Sequence, residues 1–334
     1  MNERIAFIGN LLLMMVLFAI SITVGKVELS FMDFLSVFHA NDEMIYNLIV
    51  NFRLTKTITA ILVGIALPVS GFLMQELFKN PLAEPSVLGV TSMSSLGVGI
   101  VIFLFSLLGF HEFLNQSWVI IFASFLGAMT ALFLILSFAL RIKSSASLII
   151  LGFMMSGLTI ALISLMQYFA PSEQIKQFLM WGFGTLSGLT WNQILLFGLF
   201  VIIGLLFTQK TLPSIALLNF GEKYAQTMGV NIITTRRLIL VSAALLTSAS
   251  TAFTGPIGFI GLVIPHICRS VLKTANLKLL LKWIIVLGIN TMLFFLILTE
   301  VFPFGTLPIN IITSLVGAPI VISILMNHKF EIKS

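Results

Sequence analysis

Long stretches nearly free of charge constrain this chain more than any other feature. A helix needs about 20 mostly apolar residues to cross the hydrocarbon of a bilayer, at about 1.5 Å of rise per residue. Runs of this kind fall at about 5–25, 57–78, 87–110, 118–140, 147–170, 191–208, 238–253, 255–272, 279–302 and 307–326. The chain therefore reads as an all-α integral membrane protein of about ten spans, forming a single transmembrane domain over 1–334. The runs at 191–208, 238–253 and 255–272 are short, which predicts tilted, broken or protein-buried helices. The turn Thr254-Gly255-Pro256 divides an otherwise continuous apolar stretch. Without it the spans would number nine and the C-terminus would change sides. Composition agrees: charged residues are 9% of 334, against about 25% in a soluble domain. No small-residue cleavage signal follows Ser21-Ile22-Thr23, so the first run reads as a retained span.

The connections between runs give the orientation. With ten spans and a cytoplasmic N-terminus, 14 of the 18 Lys and Arg residues fall on the cytoplasmic side. Only Lys26, Arg53, Lys56 and Lys176 fall outside. That asymmetry follows the positive-inside rule and puts both termini in the cytoplasm. Two connections are long. Residues 26–56 form an outer segment, and 209–237 form a cytoplasmic loop in which LNFGEKYAQTMGVN alternates at helical spacing, as a short amphipathic helix would.

Several function classes are excluded. No span carries a central Asp, Glu, Lys or Arg, so no proton- or ion-coupling site is in view. No G-x-x-x-x-G-K-[ST] phosphate loop is present, so the chain is not expected to hydrolyse ATP or to be an enzyme. The basic residues sit in short gaps rather than a dense patch, which argues against nucleic acid. The four histidines are far apart and Cys268 is the single cysteine, so neither a disulfide nor a metal site is expected, and a bare metal ion is not the expected cargo.

Three segments carry a resemblance. The first is Arg53-Leu54-Thr55-Lys56 followed by VGIALPVSGFLMQELFKNPLAEPSVLGVTSMSSLG. The second is GEKYAQTMGVN, and the third is GPIGFIGLVIPHICR with LPINIITSLVGAP near the end. In this order they resemble the FecCD-type permease family of ABC importers for iron-siderophore, haem and cobalamin uptake. The resemblance implies a type II ABC importer fold, with two permeases side by side, identical or paralogous. It also implies two cytoplasmic ATPases that hold the ATP and Mg, an external binding protein, and residence in the bacterial cytoplasmic membrane. No cofactor is expected on this chain. The cargo it implies is an iron chelate: a ferric siderophore first, haem or cobalamin otherwise.

The same resemblance assigns roles, each beside a plainer reading. Arg53 and Lys56 take the places of two basic residues that dock the binding protein, with Thr55 and Lys56 departing from the family's Pro and Arg. Plain interfacial snorkelling would also explain them. Gly221, Glu222, Ala225 and Gly229 match the coupling helix that enters the ATPase, and otherwise read as a surface helix. Asn80, Pro81 and Leu82, with Ser144 and Ser145, correspond to cytoplasmic gate loops; Asn-Pro is also a plain helix-ending turn. Met154, Met155, Ser156, Thr159, Ser164 and Gln167 on the fifth span would line the pathway, or simply pack helix on helix. If the orientation is right, a cysteine at Lys333 should react with a membrane-impermeant maleimide in inside-out vesicles and not in intact cells.

Overall fold

Lipid offers no hydrogen bonds, so an apolar run that crosses it must satisfy its own backbone, and an α-helix does so. The computed structural model describes residues 3–25, 47–105, 108–109, 116–139, 145–302 and 305–327. Its helices are α1 (Glu3–Thr23), α2 (Thr55–Phe78), α3 (Val90–Gly99), α4 (Ser117–Ala139), α5 (Ser145–Phe169) and α6 (Ser172–Gly182). They continue as α7 (Trp191–Leu218), α8 (Glu222–Thr227), α9 (Ile232–Thr254), α10 (Ile260–Leu272), α11 (Leu277–Val301) and α12 (Ile309–Asn327). Wider π-helical turns lead into α2 (Asn47–Leu54) and extend α3 (Ile100–Phe105). Among the described residues seven helices are long and apolar enough to span a membrane, and α3, α10 and α12 are shorter apolar helices, ten together.

Three boundaries differ from expectation. The outer segment becomes helical from Asn47, where Asn51 bonds to Asn47 (2.8 Å) and accepts from the Trp191 indole (3.3 Å). The rest of that segment, 26–46, lies outside the described residues. The expected loop from 209 is helical through Leu218, with Pro213 inside the helix, so the gap before α9 holds only α8 and its flanks. Helix α6 comes from SEQIKQFLMWG, too short and polar to be found as a span.

The short α10 has a local cause. The chain leaves α9 at Gly255 (φ 74°) and enters α10 through Phe259 (φ 69°). This irregular stretch is packed inside protein, where its polar groups find partners. Thr185 N donates to the Thr254 carbonyl (2.8 Å), and Gly258 N donates to Asn310 Oδ1 (3.2 Å).

Helix α2 is the hub, with almost every residue after Val69 buried. Without a hydrophobic drive between helices in lipid, association rests on close packing and interhelical hydrogen bonds. A Cβ at Gly64 would lie 2.7 Å from the Gly288 carbonyl oxygen of α11, and one at Gly71 would overlap the Gly261 backbone of α10. The Ser70 hydroxyl bonds both the Ala243 carbonyl (2.6 Å) and Thr247 Oγ1 (2.7 Å) of α9. Helix α1 is peripheral, with only Ser21 and Ile22 buried. It is pegged by Ser21 to Thr57 (3.1 Å) and by the Asn290 amide to the Asn10 carbonyl (3.0 Å). Gly71→Val should cost about 3 kcal/mol, the upper part of the usual overpacking range, read as a lower thermal midpoint in detergent. Gly9→Val, where nothing lies within 4 Å, should leave the midpoint unchanged.

Candidate functional site

The predicted cytoplasmic end gathers three structures. The first is α8, between the ends of α7 and α9. Gly221 precedes it at φ 115°, ψ 150°, and Gly229 follows it at φ 83°; side chains rarely adopt either conformation. Gly229 N donates to the Gln226 carbonyl (3.0 Å) and Val230 N to the Ala225 carbonyl (2.9 Å). These paired bonds form a Schellman motif, which requires a left-handed residue at Gly229. Both glycines face open space, so backbone conformation and not close packing within this chain fixes their identity. Ala225 is fully buried, whereas Lys223, Tyr224, Gln226, Thr227 and Met228 are exposed. Glu222 pairs with Arg236 at 2.5 Å, at the start of α9. The result is a small rigid helix, anchored by one methyl group, with an open outer face.

The second structure is the turn after α2. Lys79 ends the helix in a left-handed conformation (φ 48°, ψ 39°). Asn80 Oδ1 then accepts from Leu82 N (2.9 Å), and the Asn80 carbonyl accepts from Ala83 N (3.1 Å). Asn80, Pro81 and Leu82 thus form a self-bonded turn that returns the chain toward the bundle before Pro85–Leu88. Glu84 sits on that returning segment, half-buried. Ser86 Oγ donates to its Oε2 (3.2 Å), while Oε1 lies against Gly261 at the start of α10. Burial pushes the Glu84 carboxyl up to about 7 from an ordinary 4.5, partly offset by the Ser86 hydrogen bond. Of the second gate loop, Ser144 lies outside the described residues and Ser145 opens α5.

The third is a cavity of about 900 Å³ beside the turn, whose wall includes Gln75, Glu76, Lys79, Asn80, Asn219, His266 and Arg269. At the opposite end, Arg53 is turned inward and only 8% exposed. Its Nη1 donates to the Ile22 (2.7 Å) and Thr23 (2.6 Å) carbonyls, satisfying the last turn of α1. Lys56 makes an ion pair with Glu300, the acid that ends α11. This pair borders a cavity of about 220 Å³ walled by Gly184–Ser187 and Thr306–Ile309. The two cations expected to share one exposed docking role therefore occupy different environments.

The FecCD transport family model matches residues 13–327. The chain belongs to the FecCD transport family. It is a multi-pass permease of the ABC importer class. It is 34% identical over 279 residues to the vitamin B12 import system permease protein BtuC of Photorhabdus laumondii, covering 83% of this chain and 81% of the relative. It is 31% identical to the hemin transport system permease protein HmuU of Yersinia pestis, over 98% of both chains. The molybdate import system permease protein MolB of Haemophilus influenzae is 32% identical, with 93% and 92% covered. Among solved structures, an inward-facing conformation of a proposed metal-chelate type ABC transporter superposes with a TM-score of 0.84 at 28% identity, covering 97% of this chain and all of the other.

The expected pathway residues of this FecCD permease divide by helix face. Thr159 is buried and donates to Met93 Sδ of α3 (3.2 Å). Met155 and Ser156 lie beside Gly89, half-buried, as is Gln167. Met154 and Ser164 are exposed, in a stripe with Leu158, Ala161, Leu165 and Tyr168. A helix period of 3.6 places these on one face, open to lipid or to another chain.

Sequence reasoning passed over Glu84, although it stands inside NPLAEPSVLG, because it lies just outside an apolar run. The spacing of Gln75 and Glu76 to Lys79 offers no hint of Arg269, 193 residues away from Glu76. A folded-state pKa raised above the unfolded one favours the protonated fold, so the Glu84 contribution falls as pH rises from about 4.5 through about 7. Glu84→Gln should therefore match the wild type in thermal midpoint at about pH 5 and exceed it at about pH 8.

Proposed function

We propose that this permease is the membrane subunit of an ATP-driven importer for an iron chelate, a ferric siderophore first, delivered by an external binding protein. The carrying observation is α8: a preformed helix with a buried anchor at Ala225 and an open face beginning at Glu222. Such a knob suits the groove of a partner ATPase, which would hold ATP and Mg. Gly221 and Gly229 keep the knob rigid so that a push at α8 reaches α7 and α9. In this reading both termini are cytoplasmic, in a bacterial cell membrane.

A second permease, identical or paralogous, completes the pathway along the open stripe of α5. Met154, Leu158, Ser164 and Leu165 give that stripe soft, small and hydroxyl character without charge, which suits a bulky amphipathic chelate better than a bare ion. The turn at Asn80–Leu82 and the start of α5 at Ser145 close the inner mouth. At the outer mouth Lys56 is the docking cation, and a carboxylate of the binding protein would compete with Glu300 for it. Arg53 supports the same rim by holding α1. Haem or cobalamin is the alternative cargo, on the strength of what the Yersinia and Photorhabdus relatives are named for.

Reconstituted with its ATPase and binding protein, the permease should accumulate ferric siderophore only with ATP. Uptake driven by an ion gradient without the ATPase would overturn the reading. Glu222→Arg should lower uptake more than about tenfold at normal membrane abundance, because reversed charge at a docking face costs several kcal/mol. Fluorescence quenching of the binding protein by haem or cobalamin alone would replace the siderophore assignment.

A further inference from the structure

Glu76 lies where the bundle, the gate turn and the approach to α8 meet. Its two carboxylate oxygens serve different elements. Oε1 accepts from Arg269 Nη2 of α10 (2.8 Å), and Oε2 accepts from the amide of Asn219, two residues before Gly221 (3.0 Å). The two sides differ in strength. Arg269 is held by several contacts: its Nη1 donates to Gln75 Oε1, its guanidinium stacks 5.6 Å from the Phe72 ring centroid, and Gln75 is tied to the Leu262 carbonyl (3.1 Å). Paired charged hydrogen bonds of this kind are the strong ones.

The other side consists of two single bonds at exposed positions. Asn219 reaches Glu76, and Lys79 Nζ donates to the Leu218 carbonyl (3.2 Å). Both border the 900 Å³ cavity, where water can take the place of either partner. Any separation of α8 from α2 will therefore run between Leu218–Asn219 and Glu76–Lys79, leaving Arg269 with α2. Only Leu77, Phe78 and Lys79 separate Glu76 from Asn80.

We infer that Glu76 is a positioning residue, and that its bond to Asn219 is a latch joining the α8 connection to the gate end of α2. Closed, as here, the latch makes the Asn80–Leu82 turn follow α8; the importer cycle opens and remakes it. In this role Glu76 acts through Asn219. The inference rests on the permease reading above and names the route by which a push at α8 reaches the gate.

The test uses the full complex of permease, ATPase and binding protein in proteoliposomes, with ferric siderophore uptake and phosphate release measured together. Glu76→Gln and Asn219→Leu should each lower substrate moved per ATP about tenfold, within the range of ordinary coupling energies. The double variant should be no worse than the poorer single one, since both disrupt the same Glu76–Asn219 contact. If Glu76→Gln does not assemble, Asn219→Asp carries the test. It repels Glu76 while leaving the Arg269 pair intact, and should lower the same ratio. A wild-type ratio in the variants that assemble, with uptake and hydrolysis falling together, would overturn the latch, as would additive losses in the double variant. Failure of the wild-type complex to transport with ATP would instead overturn the permease reading.

Discussion

Close approach of backbones onto α2 is the constraint on which the rest of the bundle depends. Lipid is as apolar as leucine, so burying more leucine gives neighbouring helices little reason to stay together. Glycine against glycine at 64 and 288, and at 71 and 261, brings α11 and α10 near enough for dispersion to act over whole turns. Ser70 adds directional bonds to α9. Because α2 is held along its length, its two ends behave as parts of one rod. One end carries Lys56 beside Glu300, and the other carries Glu76 and the turn at Asn80. A helix packed loosely against lipid could not keep these two sites in fixed relation.

The irregular segments obey the same solvent rule. Residues 255–259 leave helical geometry inside the protein, and the turn after α2 bonds to itself through Asn80. Each breaks the helix only where other chain can supply partners. Glu84 is the exception in kind. It brings a carboxyl to the start of α10 with a serine as its hydrogen-bond donor, and burial there favours the neutral form.

Much of the fold was legible because lipid simplifies the code. Among the described residues the ten apolar runs became ten apolar helices, since a helix satisfies its own backbone in hydrocarbon. The Thr254-Gly255-Pro256 break was visible because glycine and proline act locally. The motif around Gly221 and Gly229 was also visible, and the structure gives both glycines a positive φ. Other features were hidden because they depend on distant partners. The inward turn of Arg53 is decided by the carbonyls of α1, and the engagement of Lys56 by Glu300, 244 residues on. The length of α7 was hidden for another reason. Gln209 and Lys210 look like a span's end, but a helix continues past the membrane as readily as within it.

The pegging of α1 has a consequence for how the protein is made. Helix α1 is made well before one of its anchors, Asn290, which lies 280 residues beyond Asn10. At usual translation rates of about 5–20 residues per second, that gap is on the order of tens of seconds. Through that interval the nearer anchors of α1 are Thr57 and Arg53, and its largely apolar exposed surface suits lipid. The Ser21 end of α1 can thus be held early, whereas its Asn10 side is closed only once α11 has been made.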